Sequence, residues 1–386
     1  MKVFCLGGAG RIAREAVLDL VEHSSFDKIT IGDIDEKVGE EIVSWLDDER
    51  VDFALVNVLD KEATINQMKG YDIVMDGTTI ALNGISTECI AKAGCHCINL
   101  NGFGEENQFD EIFKDNNRTA VPGFGMTPGL TQMMAMKAAN QLDTVESARV
   151  SHGSFRPIAF SKSITETTTY EYDPKLPTRT VFENGEFIQV PPFARPREVQ
   201  LPEPYGLTTQ YIIPHSETVT LAKALKHKGI QLIETRGTWP KQNMSLVRAL
   251  FDYGILRNDK IVVNGAEVGV MDCVSEYLIN SEEGSKTELY GYALHIEVIG
   301  TKEGKKYKHV LYHTHPASDG SVRDWEGLRA YTKNVGIPMA VATEMIANGA
   351  CNKTGILIPE DAFEPDSIFE ALRIRGIEVH HTIEEM

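Results

Sequence analysis

Near the amino terminus the residues best suited to chemistry are the glycines of Gly7-Gly8-Ala9-Gly10-Arg11-Ile12-Ala13, which follow the apolar run Lys2–Leu6. Gly8, Gly10 and Ala13 have the spacing G-x-G-x-x-A. In that spacing the first glycine permits a tight turn, the second lets a diphosphate approach the backbone, and the small third residue lets a helix pack closely on a strand. A helix starting there turns unpaired N–H groups and a partial positive charge toward phosphates, so Arg11 and Ile12 join Gly8 and Gly10 as expected contacts. The second apolar run ends at Asp33, 25 residues beyond Gly8, where a carboxylate would hold the hydroxyls of an adenosine ribose. Ile34 rather than an arginine follows it, and a carboxylate repels the additional phosphate of NADP; NAD is the expected cofactor and NADP the less favoured one. The competing reading makes the glycines an ordinary turn and leaves Asp33 or Asp35 to cap the next helix.

Three further segments follow apolar runs and should face the same ligand, because ligands sit outside the carboxyl ends of parallel strands. They are Asn57-Val58 at the adenine, Asp76-Gly77-Thr78-Thr79 at the ribose and nicotinamide, and Asn101-Gly102 beyond a fifth strand. Thr78 and Thr79 are preferred, since small hydroxyls donate to a phosphate or ribose without blocking a groove. Turn chemistry is the alternative for all three segments.

The elements that must position these residues alternate regularly. Apolar runs at Lys2–Leu6, Lys28–Gly32, Val51–Val56, Asp72–Asp76, Cys97–Leu100 and Ala120–Val121 predict six strands buried on both faces, with helices between them, notably Arg11–Glu22 and Glu36–Trp45. This is the α/β pattern of a Rossmann doubly wound parallel sheet. After Leu130 a helical stretch through Asn140 gives way to Tyr- and Thr-rich alternating segments and a proline-dense stretch between Pro174 and Pro214. That texture predicts a second, α+β domain with an open, mainly antiparallel sheet. Its clearest element is a hairpin of Leu294–Ile299 and Tyr307–Thr314 around Glu303-Gly304. From Trp325 the pattern is helical again, with Gly349 as a stop. The expected domains are 1–127 for the dinucleotide, 128–330 for the substrate, and a helical segment, 331–386, packing back on the first.

Bulk properties narrow the partners. A chain of 386 residues with 42% hydrophobic content can build more than one core, and 56 acidic against 38 basic residues, spread along its length, argue against nucleic acid. No run approaches the roughly 20 apolar residues that span a bilayer, and Met1-Lys2 leads directly into a strand, so no membrane is expected. Six irregularly spaced cysteines fit reduced thiols in the cytoplasm better than a disulfide framework.

At Gly125-Met126-Thr127-Pro128-Gly129-Leu130 the sequence resembles the saccharopine dehydrogenase family, whose members carry G-x-x-P-G-[LI] between their two domains. The resemblance extends to the amino-terminal GGAGRIA, to Glu166-Thr167 through Tyr172 and Pro174, to Pro214-His215-Ser216-Glu217-Thr218, to Arg236-Gly237-Thr238, and to Gly355 through Glu360. It implies hydride transfer between nicotinamide and a carbon bearing nitrogen, in an amino acid or related amine, in a cleft between the domains of a homodimer that pairs through the second sheet. The compact chain looks most like the lysine 6-dehydrogenase branch. It departs from the saccharopine reductases, which carry Asp in G-L-D-P-G where this chain has Thr127. Carried over by position, the substrate contacts are Gly125, Met126, Thr127, His215, Ser216, Arg236 and Thr238. Arg236 would clamp a carboxylate with paired hydrogen bonds, the alternative being an ion-paired arginine on a strand.

Oxidising an amine requires a base for the ammonium proton, and His215, Glu166 and Tyr172 are the named candidates, with His152 beside them. Cys95-His96-Cys97 and the parity-matched His309, His313 and His315 resemble metal fragments but lack the remaining ligands of a structural zinc site, so no metal is expected. Two other functions stay open: a reductive condensing dehydrogenase of the opine or carboxynorspermidine type using NAD(P)H, and a non-catalytic nicotinamide sensor.

Overall fold

Val3 to Leu6 are buried on both faces of their strand, as the centre of a parallel sheet requires. The computed structural model describes residues 1–257, 259–315 and 325–386. The chain divides into one unit of Met1–Lys137 with Thr332–Val379 and another of Ala138–Tyr331 with His380–Met386.

The first unit holds strands β1 (Lys2–Leu6), β2 (Lys28–Asp33), β3 (Val51–Leu55), β4 (Ile73–Asp76), β5 (His96–Asn99) and β6 (Thr119–Val121), plus the short strand Gly355–Ile356. All pair in parallel, in the order Gly355–Ile356, β6, β5, β4, β1, β2, β3. The winding reverses between β1 and β4, which makes the carboxyl ends of those strands the switch point where ligands collect. The expectation of burial on both faces fails for β3: it is the edge strand, and Leu55 is 52% exposed. Helix α1 (Ala13–His23) follows β1 and buries Ala13, Ala16, Val17 and Leu20. Within the same unit Gly336 lies against α1 so closely that a Cβ would meet the Ile12 carbonyl at 2.8 Å and the Ala16 amide at 2.9 Å. Arg375 pairs with buried Asp19 of α1 at 2.8 Å and with Glu344 at 2.7 Å.

The second unit is built on the strand Thr144–Phe155, which pairs antiparallel with Gly291–Lys302 and parallel with Leu232–Thr238. Leu207–Ile212 joins the far side of Leu232–Thr238, and Lys305–His315 the far side of Gly291–Lys302, both antiparallel. The sheet is thus mainly antiparallel. The predicted hairpin is longer than its apolar core, Gly291–Lys302 with Lys305–His315. Glu303 and Gly304 turn it at φ 52° and 79°, the left-handed pair that a two-residue turn matched to strand twist demands. The tail corrects the expectation of a purely helical segment. After the helix Arg329–Ala347, which Gly349 closes at φ 77°, the chain ends in the strand His380–Glu385, paired with Lys305–His315 in the second unit's sheet. Among the described residues no helix is long and apolar enough to cross a membrane.

Candidate active site

The glycine loop is shaped by close contacts that side chains would break. Gly7 adopts φ 70°, and a Cβ on Gly8 would stand 2.7 Å from the Cys5 carbonyl oxygen. The motif's first glycine is therefore needed for close approach, while the left-handed turn falls on Gly7. Ala13 packs against Gly77 at the end of β4, where an added Cβ would meet the Ala13 methyl at 2.7 Å. The Ala9 amide donates to Asp33 and the Gly10 amide to the Gly7 carbonyl. Among the described residues no acceptor engages the amides of Arg11, Ile12 and Ala13, at the start of α1. Three free N–H groups at the positive end of a helix fit a diphosphate.

Asp33 ends β2 half-buried. Its Oδ2 accepts from Ala9 at 3.1 Å and its Oδ1 from Ile34 at 2.8 Å and Asp35 at 3.2 Å. Asp35, not Asp33, caps the following helix, accepting from Val38 at 3.1 Å. Asp33 thus stands beside the glycine loop, where a ribose acceptor belongs.

Beyond β4, Thr78 and Thr79 are half-buried; the Thr78 amide donates to Asp76 at 3.0 Å. Asp76 is 1% exposed, its Oδ2 has no partner among the described residues, and burial raises its pKa. Two expected cofactor contacts are corrected here. Val58 is a core residue, 7% exposed among Phe4, Val74 and Met68. Asn101 is 8% exposed and spends its amide on Asn83 at 3.0 Å, within a network in which Glu106 accepts from Asn83, Gly102 and Gly104. Both shape the loops rather than present a side chain.

The loop Gly125–Leu130 is a tight knot, with Gly125 and Leu130 amides donating to the carbonyls of Pro128 and Gly125 at 2.7 and 2.9 Å. Met126 is fully buried and is corrected from substrate contact to packing; Thr127 is half-buried.

In the second unit His215 is the centre. It lies between the strand Leu207–Ile212 and the helix Glu217–Ala224, which Thr218 ties to Thr235 at 3.0 Å. Its Nε2 is 3.6 Å from Glu171 and its Nδ1 3.6 Å from Glu217. Burial alone would lower its pKa, but Glu217 and then Glu171 outweigh burial and raise it to about 10. Its ring stacks on His152, with centroids 5.5 Å apart. Burial and the His215 cation lower His152 to about 3, so the neighbouring imidazole is neutral. Gly237, paired in register with His152, makes room: a Cβ there would lie 2.6 Å from His152 Nε2. Glu171 and Glu217 are the residues that sequence reasoning missed, although Glu217 lies inside the segment Pro214 to Thr218.

Other candidates are corrected. Glu166 shares the helix Lys162–Tyr172 with Glu171 but faces Lys162 and Asp272; it is half-buried, and burial raises its pKa. Tyr172 is 2% exposed against Phe193 and Trp239, its hydroxyl has no partner among the described residues, and burial drives its pKa far up, so it holds its proton. Arg236 is 3% exposed and already paired, with Glu234 at 2.8 Å and with the Arg195 carbonyl. Its Nη1 and Nη2 are thus engaged within the protein rather than turned to a ligand. Ser216 precedes the helix of Glu217, and Thr238 lines a cavity of about 590 Å³ with Trp239, Tyr211 and Arg248.

Cys95 and Cys97 are buried core thiols, and His96 Nδ1 accepts from the Thr119 amide at 3.0 Å. His309 contacts His381 at 2.9 Å, and the His315 side chain lies outside the described residues. Among the described residues no three His, Cys, Asp or Glu side chains are grouped to hold a metal ion.

Residues 3–121 match the saccharopine dehydrogenase NADP binding domain and residues 125–377 the saccharopine dehydrogenase C-terminal domain. Among solved structures, the chain is similar to apo saccharopine dehydrogenase (L-Glu forming) from Saccharomyces cerevisiae, with 13% identity, a TM-score of 0.75 and 99% of each chain covered. It is also similar to homospermidine synthase from Legionella pneumophila in complex with NAD, with 14% identity, a TM-score of 0.65, and 99% of this chain and 91% of that chain covered. At these identities the two structures share the fold, and the matched domains give the lineage. The chain belongs to the saccharopine dehydrogenase family of NAD(P)-binding oxidoreductases.

Proposed function

We propose that the protein is an NAD-dependent dehydrogenase that oxidises a carbon bearing nitrogen in an amino acid or related amine. The observation that carries this reading is the imidazolium of His215 held between two buried carboxylates, Glu171 and Glu217. A buried carboxylate at this position suits a substrate ammonium group. Glu171 Oε2 has no hydrogen-bond partner among the described residues and is the acceptor this cluster offers to the ammonium proton. Glu171 holds that proton beside the His215 cation and returns it when water adds to the imine.

Cofactor binding falls to the first unit. The amides of Arg11, Ile12 and Ala13 would hold the diphosphate, Asp33 the adenosine ribose, and Thr78 and Thr79 the ribose and nicotinamide side. Bound there, nicotinamide supplies the hydride acceptor. Asp33 supports NAD over NADP by charge repulsion.

A screen of amino acids and polyamines with NAD, followed by amine plus oxoacid or aldehyde with NADH, tests the reading through nicotinamide absorbance. Turnover in the first arm supports it. Turnover confined to the second arm would replace it with reductive condensation, and binding without turnover in either would replace it with a sensor.

A further inference from the structure

Arg156 directly follows the strand Thr144–Phe155, is 4% exposed, and has no carboxylate within ion-pair distance among the described residues. Nη1 donates to the carbonyls of Pro157 and Ile158 at 3.0 and 3.2 Å, and among the described residues Nε has no acceptor. Other buried arginines are held differently. Arg236 has Glu234, and Arg375 has Asp19 and Glu344. Arg179 donates to the carbonyls of Glu171 and Asp173, at the negative end of a helix. Arg156 instead lies over aromatic faces, 5.5 Å from the Tyr331 ring centroid and 5.8 Å from that of Phe160.

Those faces connect it to the acid–base cluster. Tyr331 stacks on Tyr292 at 5.5 Å, Tyr292 on His152 at 5.7 Å, and His152 on His215 at 5.5 Å. One stacked column therefore carries at one end a guanidinium that has no carboxylate partner among the described residues and interacts with Tyr331, and at the other the carboxylate-flanked imidazolium. A buried cation without a counter-charge is costly, and a fork of N–H donors matches a carboxylate bidentately.

We propose that Arg156 receives a carboxylate of the substrate, so that the substrate class is an amino acid and not a polyamine. This rests on the dehydrogenase reading above. It also reassigns to Arg156 the role that sequence gives to Arg236.

The test compares amines that differ only by a carboxylate, L-lysine with cadaverine and L-ornithine with putrescine, as substrates with NAD. The amino acid of the productive pair is expected to exceed its amine in kcat/KM by roughly 100-fold or more, because a site built for a polar group rejects the analogue lacking it. Arg156→Met is expected to close that gap through KM, with kcat within about threefold and NADH affinity unchanged. Arg156→Lys, which keeps the charge and so guards against misfolding, should raise KM about tenfold. An amine used as well as its amino acid, or an unchanged KM in either variant, overturns the proposal. A second arm needs no turnover: glutarate should raise the melting temperature of the wild type and not of Arg156→Met. If no compound in the panel is oxidised, the dehydrogenase reading fails while this arm still decides for or against the anion site, an equal or absent shift deciding against it.

Discussion

His215 and His152 stack with ring planes 16° from parallel, yet the fold drives their protonation in opposite directions. Burial disfavours the cation on both rings; only His215 has carboxylates on either side to overcome it. A charged and a neutral imidazole in contact give the second unit a proton-holding pair that neither sequence segment announces alone.

Replacing His215 with Ala removes the bridge between Glu171 and Glu217. Turnover is expected to fall by roughly 100-fold or more, in line with loss of an acid–base group. NADH affinity, set by the first unit, should be unchanged when followed by fluorescence titration. Wild-type turnover would remove His215 from the chemistry.

The same pair sets a pH dependence of stability. The folded pKa of His215, about 10, lies above its ordinary 6.5. Its stabilisation is therefore complete below about 6.5 and lost as pH rises toward about 10. His152 acts in the other sense: its folded pKa of about 3 is below 6.5, so its contribution is complete above 6.5 and lost as pH falls. Urea midpoints are expected to decline on the alkaline side, and His215→Gln should flatten that decline. An alkaline limb equally steep in the variant would refute the assignment.

Gly237→Ala places a methyl 2.6 Å from His152 Nε2 and 3.1 Å from Ile213. Overpacking of this kind costs about 1–3 kcal/mol, and the displaced ring should lower kcat without altering NADH binding. Retained kcat with a melting temperature equal to wild type would show that the ring has more room than the geometry gives it.

Much of this was legible from residue order. The parallel strands could be read because buried strands are apolar on both faces, and the glycine loop because its spacing precedes a helix. β3 was misread because an edge strand need not be apolar throughout. The helix Lys162–Tyr172 hid Glu171: it is rich in threonine, with no clear apolar stripe to show which face turns inward, so Glu166 looked equally suitable. Arg236 carried a usable signal, since Glu234 is two residues away on the same face of its strand. Gly237 carried another, because a glycine inside a strand marks a close approach. The stacking of Tyr331 on Tyr292 depends on chain return over a distance that no local pattern encodes.

Arg236→Met separates structure from recognition. It breaks a buried ion pair and leaves Glu234 with Arg149 alone, 3.4 Å away, which lowers stability. A lower melting temperature with an unchanged KM for the amino acid is expected. A raised KM at unchanged stability would restore Arg236 to the substrate site.

The claim on which the rest depends is that the glycine loop and Asp33 hold a nicotinamide dinucleotide. Calorimetric titration of the wild type and Asp33→Ala with NADH and NADPH measures this directly. The wild type should bind NADH more tightly than NADPH, and Asp33→Ala should bind NADH more weakly with the preference reduced, because its carboxylate repels the extra phosphate and braces the Ala9 amide. Absence of heat with either dinucleotide, or a preference untouched by Asp33→Ala, would contradict it.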